Sequence, residues 1–273
     1  MSDSDSDEGT DTRINTEIDL DEDPAAYPPI FIAARDGDVQ AMRAELASGV
    51  DPNLRGSDHT TPLQVIAANA NVQGGRRYLK RCPNESQLLE CTRLLLDAGA
   101  DPCSLDEYRM TTIYYCVSHN HPEILAMLLE AGAGAVVNNR VIDSKWTALA
   151  QAARSGYMEC LHLLLAAGAD VNLRVQNESL NDTPLETAIK WDQYDHHENL
   201  KRVFPVLLRA GAPIPPNVAQ PYVRKVAAAG GFAAYERAHR LRLATILARV
   251  VFPRLPLEMV SHVVAFAFHP GDY

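Results

Sequence analysis

The side chains best suited to chemistry in this sequence are its nine His and five Cys residues. The Cys residues form no C-x-x-C pair, and no spacing of Cys and His matches a zinc site. His196 and His197 adjoin in a charged stretch, while His119 and His121 flank a predicted turn. A solvated pair in a surface loop is therefore expected for the first two, and a structural role at the turn is expected for the second two. We predict no metal and no cofactor.

Signatures of enzymatic catalysis are also missing. The chain contains no GxxxxGK[ST] phosphate loop, no G-x-S-x-G nucleophile elbow and no H-E-x-x-H zinc motif. Gly132-Ala133-Gly134 has the G-x-G pattern, but it follows a helical segment rather than a strand. The sequence therefore predicts a protein that is not an enzyme.

Charge is unevenly distributed along the 273 residues, whose formal net charge is −10. Residues 1–24 contain ten acids and one base, so the remainder is close to neutral. A near-neutral body lacks the basic footprint of a nucleic-acid-binding protein. Residues 1–27 are predicted to be a disordered acidic tail. Ser2 and Ser4 each precede an acid by three residues and resemble acidophilic-kinase substrates.

Hydrophobic segments give no sign of a membrane protein. The N-terminus lacks the basic and apolar regions of a signal peptide. The most apolar stretch, 243–268, is interrupted by Arg249, Arg254, Glu258 and two prolines, which is inconsistent with a membrane span. An odd number of Cys favours free thiols in a reducing compartment. We expect a monomer in the cytoplasm or the nucleus.

Two short strings recur along the chain. The first includes LLDAGADPC at 95–103 and LLAAGADVN at 164–172, and the second includes TPLQVIAAN at 61–69 and TALAQAARS at 147–155. Thr and Pro favour the start of a helix, and a Gly with a left-handed backbone favours its end. Each unit thus predicts two short helices, and the chain is predicted to be all-α. The Gly of the first string recurs at Gly49, Gly99, Gly132, Gly168 and Gly211.

These strings resemble the ankyrin repeat. Five copies are predicted, at 28–56, 57–105, 106–140, 141–177 and 178–215, with insertions at 70–86 and 192–201. The resemblance implies an ankyrin-repeat solenoid of stacked helix pairs with short hairpin fingers. It also implies non-catalytic binding of a partner protein on the concave face.

The family's contact positions can be transferred to this sequence residue by residue. They lie just before the helix-starting Thr and just after the small residues of the first helix. Trp and Arg at such positions are typical of binding hot spots, although packing of both tryptophans against neighbouring fingers is the alternative. The predicted partner-binding residues are Tyr108, Met110, His119, Trp146, Arg154, Lys190 and Trp191.

The C-terminal region 216–273 is predicted to be a helical extension, and two interpretations of it stay open. Its segment LPLEMVSHVVAF resembles the first helix of an F-box, which implies a substrate receptor that recruits a Skp1-type adaptor of a cullin ubiquitin ligase. The alternative is a helix that caps the last repeat, since solenoid ends must be covered. Burial of the Val and Phe side chains by residues 222–252 would favour the cap. Met259 contributes to the resemblance, and the predicted adaptor-binding residues are Leu255, Pro256, Glu258, Val260, Val263, Val264 and Phe266.

Overall fold

The computed structural model describes residues 27–56, 58–68, 84–142, 144–176, 181–194, 200–250 and 256–267. Helices dominate this part of the chain, and its one two-stranded sheet is very short. The predicted all-α class is therefore confirmed. The helices are α1 (Pro29–Asp36), α2 (Val39–Ala47), α3 (Pro62–Ala68), α4 (Glu85–Asp97), α5 (Thr112–Ser118), α6 (Pro122–Glu130), α7 (Ala148–Ser155), α8 (Met158–Ala166), α9 (Pro184–Tyr194), α10 (Leu200–Arg209), α11 (Pro221–Ala228), α12 (Phe232–Val250) and α13 (Leu257–Ala267), with a 3-10 turn at Ala133–Val136 and strands β1 (Val175–Gln176) and β2 (Asn181–Asp182).

The pair α7–α8 shows why the sequence folds into such units. The Thr147 hydroxyl accepts a hydrogen bond from the Ala150 amide at 3.2 Å and caps the start of α7. Gly156 ends α7 with a left-handed backbone (φ 70°), and Gly168 follows the end of α8 with φ 86°. Leu161 and Leu164 of α8 are buried. The unit is thus delimited by local residues, whereas its apolar surface needs neighbouring units for burial.

The helix pairs stack in chain order. The first helices α1, α3, α5, α7 and α9 contact one another in series, and so do the second helices α2, α4, α6, α8 and α10. One continuous apolar core runs through all five pairs. It includes Phe31 at one end and Phe204 at the other, both fully buried. Such stacking of repeats is a solenoid, as predicted.

The loops between successive pairs form hairpin fingers. The Gly56 amide donates to the Thr60 carbonyl at 2.8 Å, and the Val141 amide donates to the Trp146 carbonyl at 3.1 Å. Neighbouring fingers also bond to each other, because the Ile142 amide donates to the Tyr108 carbonyl at 3.0 Å. The fingers therefore form a continuous edge along one side of the array.

A second set of bonds joins consecutive units at the ends of their second helices. The Asn53 side chain accepts from the Asp101 amide at 2.6 Å and donates to the Gly99 carbonyl at 3.0 Å. Asn138 repeats this pattern with Asp170 and Gly168. Cys103 occupies the corresponding place in the second unit, and its thiol lies 3.7 Å from the Gly132 carbonyl. This link is thus weaker than those made by Asn53 and Asn138, because a thiol is a poor donor and acceptor.

The C-terminal extension divides into two parts. Val223 and Val226 of α11 are buried in the core of the array, and Phe232 and Tyr235 at the start of α12 pack against it. The second half of α12 forms a separate small apolar cluster with α13, described below. The last repeat is therefore capped by α11 and the beginning of α12. The described part of the 255–268 segment is α13, which packs on α12.

Several sequence-based predictions fall on residues outside the described part of the chain. The acidic segment 1–26 with Ser2 and Ser4, most of the 70–86 insertion and the centre of the 192–201 insertion belong here. So do Leu255 and the side chain of Phe266.

Candidate partner-binding surface

The predicted partner-binding residues divide into exposed and buried groups. Tyr108 lies at a finger tip with 51% of its surface exposed, and Lys190 on α9 is also exposed. His119, Arg154 and Trp191 are partly buried at the ends of α5, α7 and along α9. These five side chains reach the surface and could contact a partner.

Met110 and Trp146 do not reach the surface, so their prediction as exposed contact residues is wrong. Met110 is 2% exposed and Trp146 is 3% exposed. Both directly precede the Thr that starts the next helix, and the residues at the same place in the other units, Thr60 and Asp182, are buried too. This position belongs to the inward-facing strand of the finger. For Trp146, packing is the interpretation that the structure supports.

Backbone geometry explains why the side chain turns inward there. The preceding residues His59, Arg109 and Lys145 have positive φ values of 62°, 58° and 54°. This left-handed turn reverses the chain, places the basic side chain outside and directs the next residue towards the core. Left-handed backbone is unfavourable for residues other than Gly, Asn and Asp, so the fingers hold it in place through their hydrogen bonds.

Arg154 connects the two tryptophans. Its guanidinium carbon lies 4.0 Å from the centroid of the Trp191 ring and 5.4 Å from that of Trp146. Trp146 forms the buried floor of this stack, and Trp191 is partly exposed above it. A cation over an aromatic ring contributes about 0.5–2 kcal/mol, depending on its exposure to water. The stack therefore presents Trp191 and Arg154 as one preorganised surface feature.

Lys190, next to Trp191, is held by an ion pair with the Asp182 carboxylate. Asp182 is buried at the base of its finger, whereas nearly half of the Lys190 side chain is accessible. The ammonium group thus has a fixed position beside the stack, and a ligand carboxylate would have to share it with Asp182.

Sequence reasoning missed Ile142, which is 37% exposed at the tip of the next finger. Its amide bonds to the Tyr108 carbonyl, so the two apolar finger tips are neighbours. The sequence does contain a clue, because Ile142 lies in the turn segment 141–145. An apolar side chain in a turn is not part of a helix or strand that packs on the core, so exposure could have been predicted.

A buried carboxylate stabilises the finger that carries Tyr108. Asp106 accepts hydrogen bonds from the Tyr115 hydroxyl at 2.7 Å and from the Met110 amide at 2.8 Å. Burial raises the pKa of Asp106 above its ordinary value, although these hydrogen bonds oppose the shift. Because its oxygens are occupied by the finger itself, Asp106 has a structural role.

The thiols of the described residues show no activation. Burial raises the pKa of Cys91 to about 11 and that of Cys160 to about 12. Nucleophilic cysteines need the opposite shift, because the thiolate is the reactive form. In the described part of the chain, no group of three His, Cys, Asp or Glu side chains could hold a metal ion. The same part contains no helix with the length and hydropathy required to cross a membrane.

Parts of the chain are similar in sequence to known proteins, one of which carries the ankyrin repeat in its name. A segment of 107 residues is 34% identical to a B-cell lymphoma 3 protein homolog of Mus musculus, covering 34% of this chain and 24% of that protein. A segment of 117 residues is 31% identical to ankyrin repeat, SAM and basic leucine zipper domain-containing protein 1 of Dasypus novemcinctus, covering 36% and 25%. Tyrosine-protein kinase HTK16 of Hydra vulgaris is 29% identical over 134 residues, covering 48% and 17%.

The matched segments thus span a quarter or less of each of these relatives. A family model describing three copies of the ankyrin repeat matches residues 30–140 and 79–175, which together cover more than half of the chain. This family is generally a non-catalytic fold for protein–protein interaction. The stacked helix pairs, the hydrogen-bonded fingers and this match together show that the chain belongs to the ankyrin-repeat family.

Proposed function

We propose that this protein binds a partner protein without catalysis, through a surface formed by the Arg154–Trp191 stack, Lys190, His119 and the finger tips Tyr108 and Ile142. We call this set the finger-side surface. The observation that carries the proposal is the stack, in which the guanidinium carbon of Arg154 lies 4.0 Å from the centroid of the partly exposed Trp191 ring. Trp, Tyr and Arg dominate binding energies because they bury much area with few rotatable bonds.

The surface combines an apolar part with fixed charges. Tyr108 and Ile142 provide the apolar part, and Lys190 and Arg154 provide positive charge that other residues already orient. Preorganised side chains lose less entropy on binding, so each contributes more to affinity. A partner segment with an apolar side chain next to an acidic one fits this surface best.

Quantitative affinity purification with mass spectrometry tests the proposal. The bait is the full chain, compared with the variants Trp191→Ala and Tyr108→Ala and with the control His162→Ala, an exposed side chain on the second helix α8. A specific partner should be retained by the control and reduced in both finger-side variants. With the purified partner, each finger-side substitution should weaken binding by about 2 kcal/mol. Equal recovery with all baits would overturn the proposal.

A second function, adaptor binding by α13, has one observation in its favour. Leu257, Met259 and Val263 are exposed apolar side chains in the described residues of this helix. The burial of Val260 and Val264 by α12 weakens this candidate, because two residues of the F-box-like pattern are already used within the chain. Its test is binding of the full chain to a purified Skp1-type adaptor, with Met259→Asp as the interface variant and Leu241→Asp on α12 as the control.

A further inference from the structure

A cavity lies where the last repeat meets the C-terminal extension, on residues that the finger-side surface does not use. Its volume is about 230 Å³. This is below the roughly 300 Å³ at which pockets for small molecules begin, so it suits one side chain of a polypeptide. We call this cavity the end recess. Its lining comes from α10, α11 and α12 and includes Arg209, Tyr222, Phe232, Tyr235, Glu236 and His239.

Aromatic rings form most of its wall. Tyr222 meets Tyr235 edge to face with centroids 5.6 Å apart, and Tyr235 stacks on His239 at 6.1 Å. The Arg209 guanidinium carbon lies 5.5 Å from the centroid of Phe232. Aromatic pairs in stacked or edge-to-face arrangements are more favourable than their buried area alone predicts. The end recess therefore favours an aromatic side chain as its occupant.

The rim of the end recess carries an excess of positive charge. The Glu236 carboxylate lies 2.9 Å from Arg209 and 3.1 Å from Arg240, so one acid is shared by two guanidinium groups. The Nε atom of Arg240 is buried and has no hydrogen-bond partner among the described residues. A buried donor without an acceptor costs free energy, so a second carboxylate beside Arg240 would be stabilising. An occupant with a carboxylate next to an aromatic ring matches the recess and its rim.

The end of α13 comes close to this rim. Helices α12 and α13 are joined by a short connection, and Ala244 of α12 lies in one small buried cluster with Val264 of α13. The two helices therefore run antiparallel, so Ala267, three residues after Val264, lies about three residues before Ala244, beside Arg240. The end recess is then within about 15 Å of Ala267, at most one and a half turns along α12 and one helix diameter around it.

The sequence that follows α13 contains the matching pair of side chains. Residues 268–273 read FHPGDY, with Asp272 directly before Tyr273. Pro270 and Gly271 disfavour continuation of the helix, so the segment can change direction after α13. Six extended residues reach about 20 Å, which exceeds the distance of about 15 Å to the end recess. Both Asp272 and Tyr273 are therefore within reach of it.

We propose that the segment 268–273 docks on the end recess of the same molecule. The ring of Tyr273 occupies the recess against Tyr235, and the Asp272 carboxylate accepts a hydrogen bond from the Nε atom of Arg240. Because the segment is tethered to α13, its effective concentration at the recess is high, and two modest contacts suffice to hold it. The docked segment ties the end of α13 to the last repeat and gives the helix a second attachment besides α12. This contact is independent of the finger-side surface.

Photo-cross-linking of the full chain tests the proposal. One variant carries p-azidophenylalanine in place of Tyr273, because the ring of this probe is close in size to that of tyrosine. The matched control carries the same probe in place of His269. After irradiation, mass spectrometry identifies the peptides to which the probe is attached. The probe at Tyr273 should attach to the recess residues of α10, α11 and α12 about tenfold more often than the control, since only the docked ring is held against them.

Substitutions in the chain that carries the probe at Tyr273 test the contact of Asp272. Arg240→Ala should lower attachment to the end recess about fivefold, because it removes the partner of the Asp272 carboxylate. Arg237→Ala is the control, since Arg237 is an exposed base on α12 that does not line the recess. It should change attachment less than about twofold. Asp272→Asn should have the same effect as Arg240→Ala, without any change in the folded host.

Hydrogen exchange of the chain without a probe is the second measurement. If docking holds α13 in place, Tyr273→Ala should accelerate exchange of the α13 amides about tenfold, because the helix then opens more often. His269→Ala should leave the exchange rates unchanged, and the amides of the array serve as the internal reference in both variants.

Three results would overturn the proposal. The first is equal attachment to the end recess by the probes at Tyr273 and His269. The second is an exchange rate of the α13 amides that Tyr273→Ala does not change. The third is cross-linking between two molecules instead of within one, which would place the segment on a second copy.

Discussion

The repeat array and the hairpin formed by helices α12 and α13 differ in how completely they bury their apolar side chains. In the array, exposed large apolar side chains among the described residues are limited to the finger tips Tyr108 and Ile142. The hairpin is shorter but exposes more of them, namely Leu241, Ile246, Leu257, Met259 and Val263. Each unit of the array is covered by the next one, whereas the hairpin has neighbours on one side only.

The apolar clusters show the same difference. The array core runs through five helix pairs and extends into α11, while the hairpin cluster consists of the buried residues Ala244, Val260 and Val264. In a solenoid, stability is approximately the sum of unit and interface terms, so a terminal element with one small interface contributes little. We therefore expect the hairpin to be the least stable part of the described chain.

The largest expected effect is in the array. Trp146→Ala should lower the free energy of unfolding by about 3–5 kcal/mol, as for other buried aromatic side chains, and it also removes the floor under Arg154. Urea denaturation followed by circular dichroism measures it. A loss below about 1 kcal/mol would show that the finger can rearrange around the missing ring.

Alkaline pH should act on the array through its buried thiols. Burial raises the pKa of Cys91 to about 11 and that of Cys160 to about 12, above the ordinary thiol value of 9.0. Unfolding therefore releases protons above pH 9, and stability falls as the pH rises from about 9 to 11. The slope is about 1.4 kcal/mol per pH unit for each thiol.

Urea denaturation at pH 8, 9, 10 and 11 under reducing conditions measures this slope. Cys91→Ala should lower the free energy of unfolding at pH 8. It should also make the fall of stability with pH less steep by about 1.4 kcal/mol per pH unit, the contribution of one thiol. An unchanged slope in this variant would contradict the assignment to Cys91.

Substitution of a helix-ending glycine tests how much of the array depends on its turns. Gly168 has φ 86°, and no atom lies within 4 Å of the position that a Cβ would take. Gly168→Val should therefore cost roughly 1–2 kcal/mol or more through backbone strain alone. Gly134 is equally uncrowded but has no left-handed backbone, so Gly134→Ala is the control and should be nearly neutral. Equal melting temperatures for the wild type and Gly168→Val would contradict the assigned cap.

Replacing Cys103, which makes only a weak link to the next unit, should raise the free energy of unfolding. Cys103→Asn should supply the side-chain bonds that Asn53 and Asn138 make at the corresponding places, including a donor to the Gly132 carbonyl. One additional hydrogen bond stabilises by about 0.5–1.5 kcal/mol. The reverse substitution, Asn53→Cys, should cost a similar amount. A Cys103→Asn variant that melts below the wild type would show that the two sites are not equivalent.

The sequence predicted the fold well because ankyrin units are delimited by local signals. Thr147, Gly156 and Gly168 determine where the helices of one pair start and end, and their spacing is visible without a structure. The site was harder to predict because exposure depends on neighbouring units. Trp146 occupies a sequence position that suggested contact, but the turn at Lys145 directs it inward. Arg154 and Trp191 come from different helices, and only stacking of α7 on α9 brings them together.

The smallest expected change in stability is in the hairpin, where substitutions of the adjacent residues Val263 and Val264 should differ in their effects. Val263 is 45% exposed, whereas Val264 is buried against α12. Val263→Ser should change the free energy of unfolding by less than about 0.5 kcal/mol, as is usual for surface sites. Val264→Ser should open the hairpin locally, because it removes apolar contacts from the small cluster and places a polar hydroxyl there. Hydrogen exchange should then show loss of protection in α13 while the array amides keep theirs. If Val264→Ser instead lowered protection throughout the array, the hairpin would be part of the same cooperative unit, and its exposed apolar side chains could not be attributed to a weakly attached end.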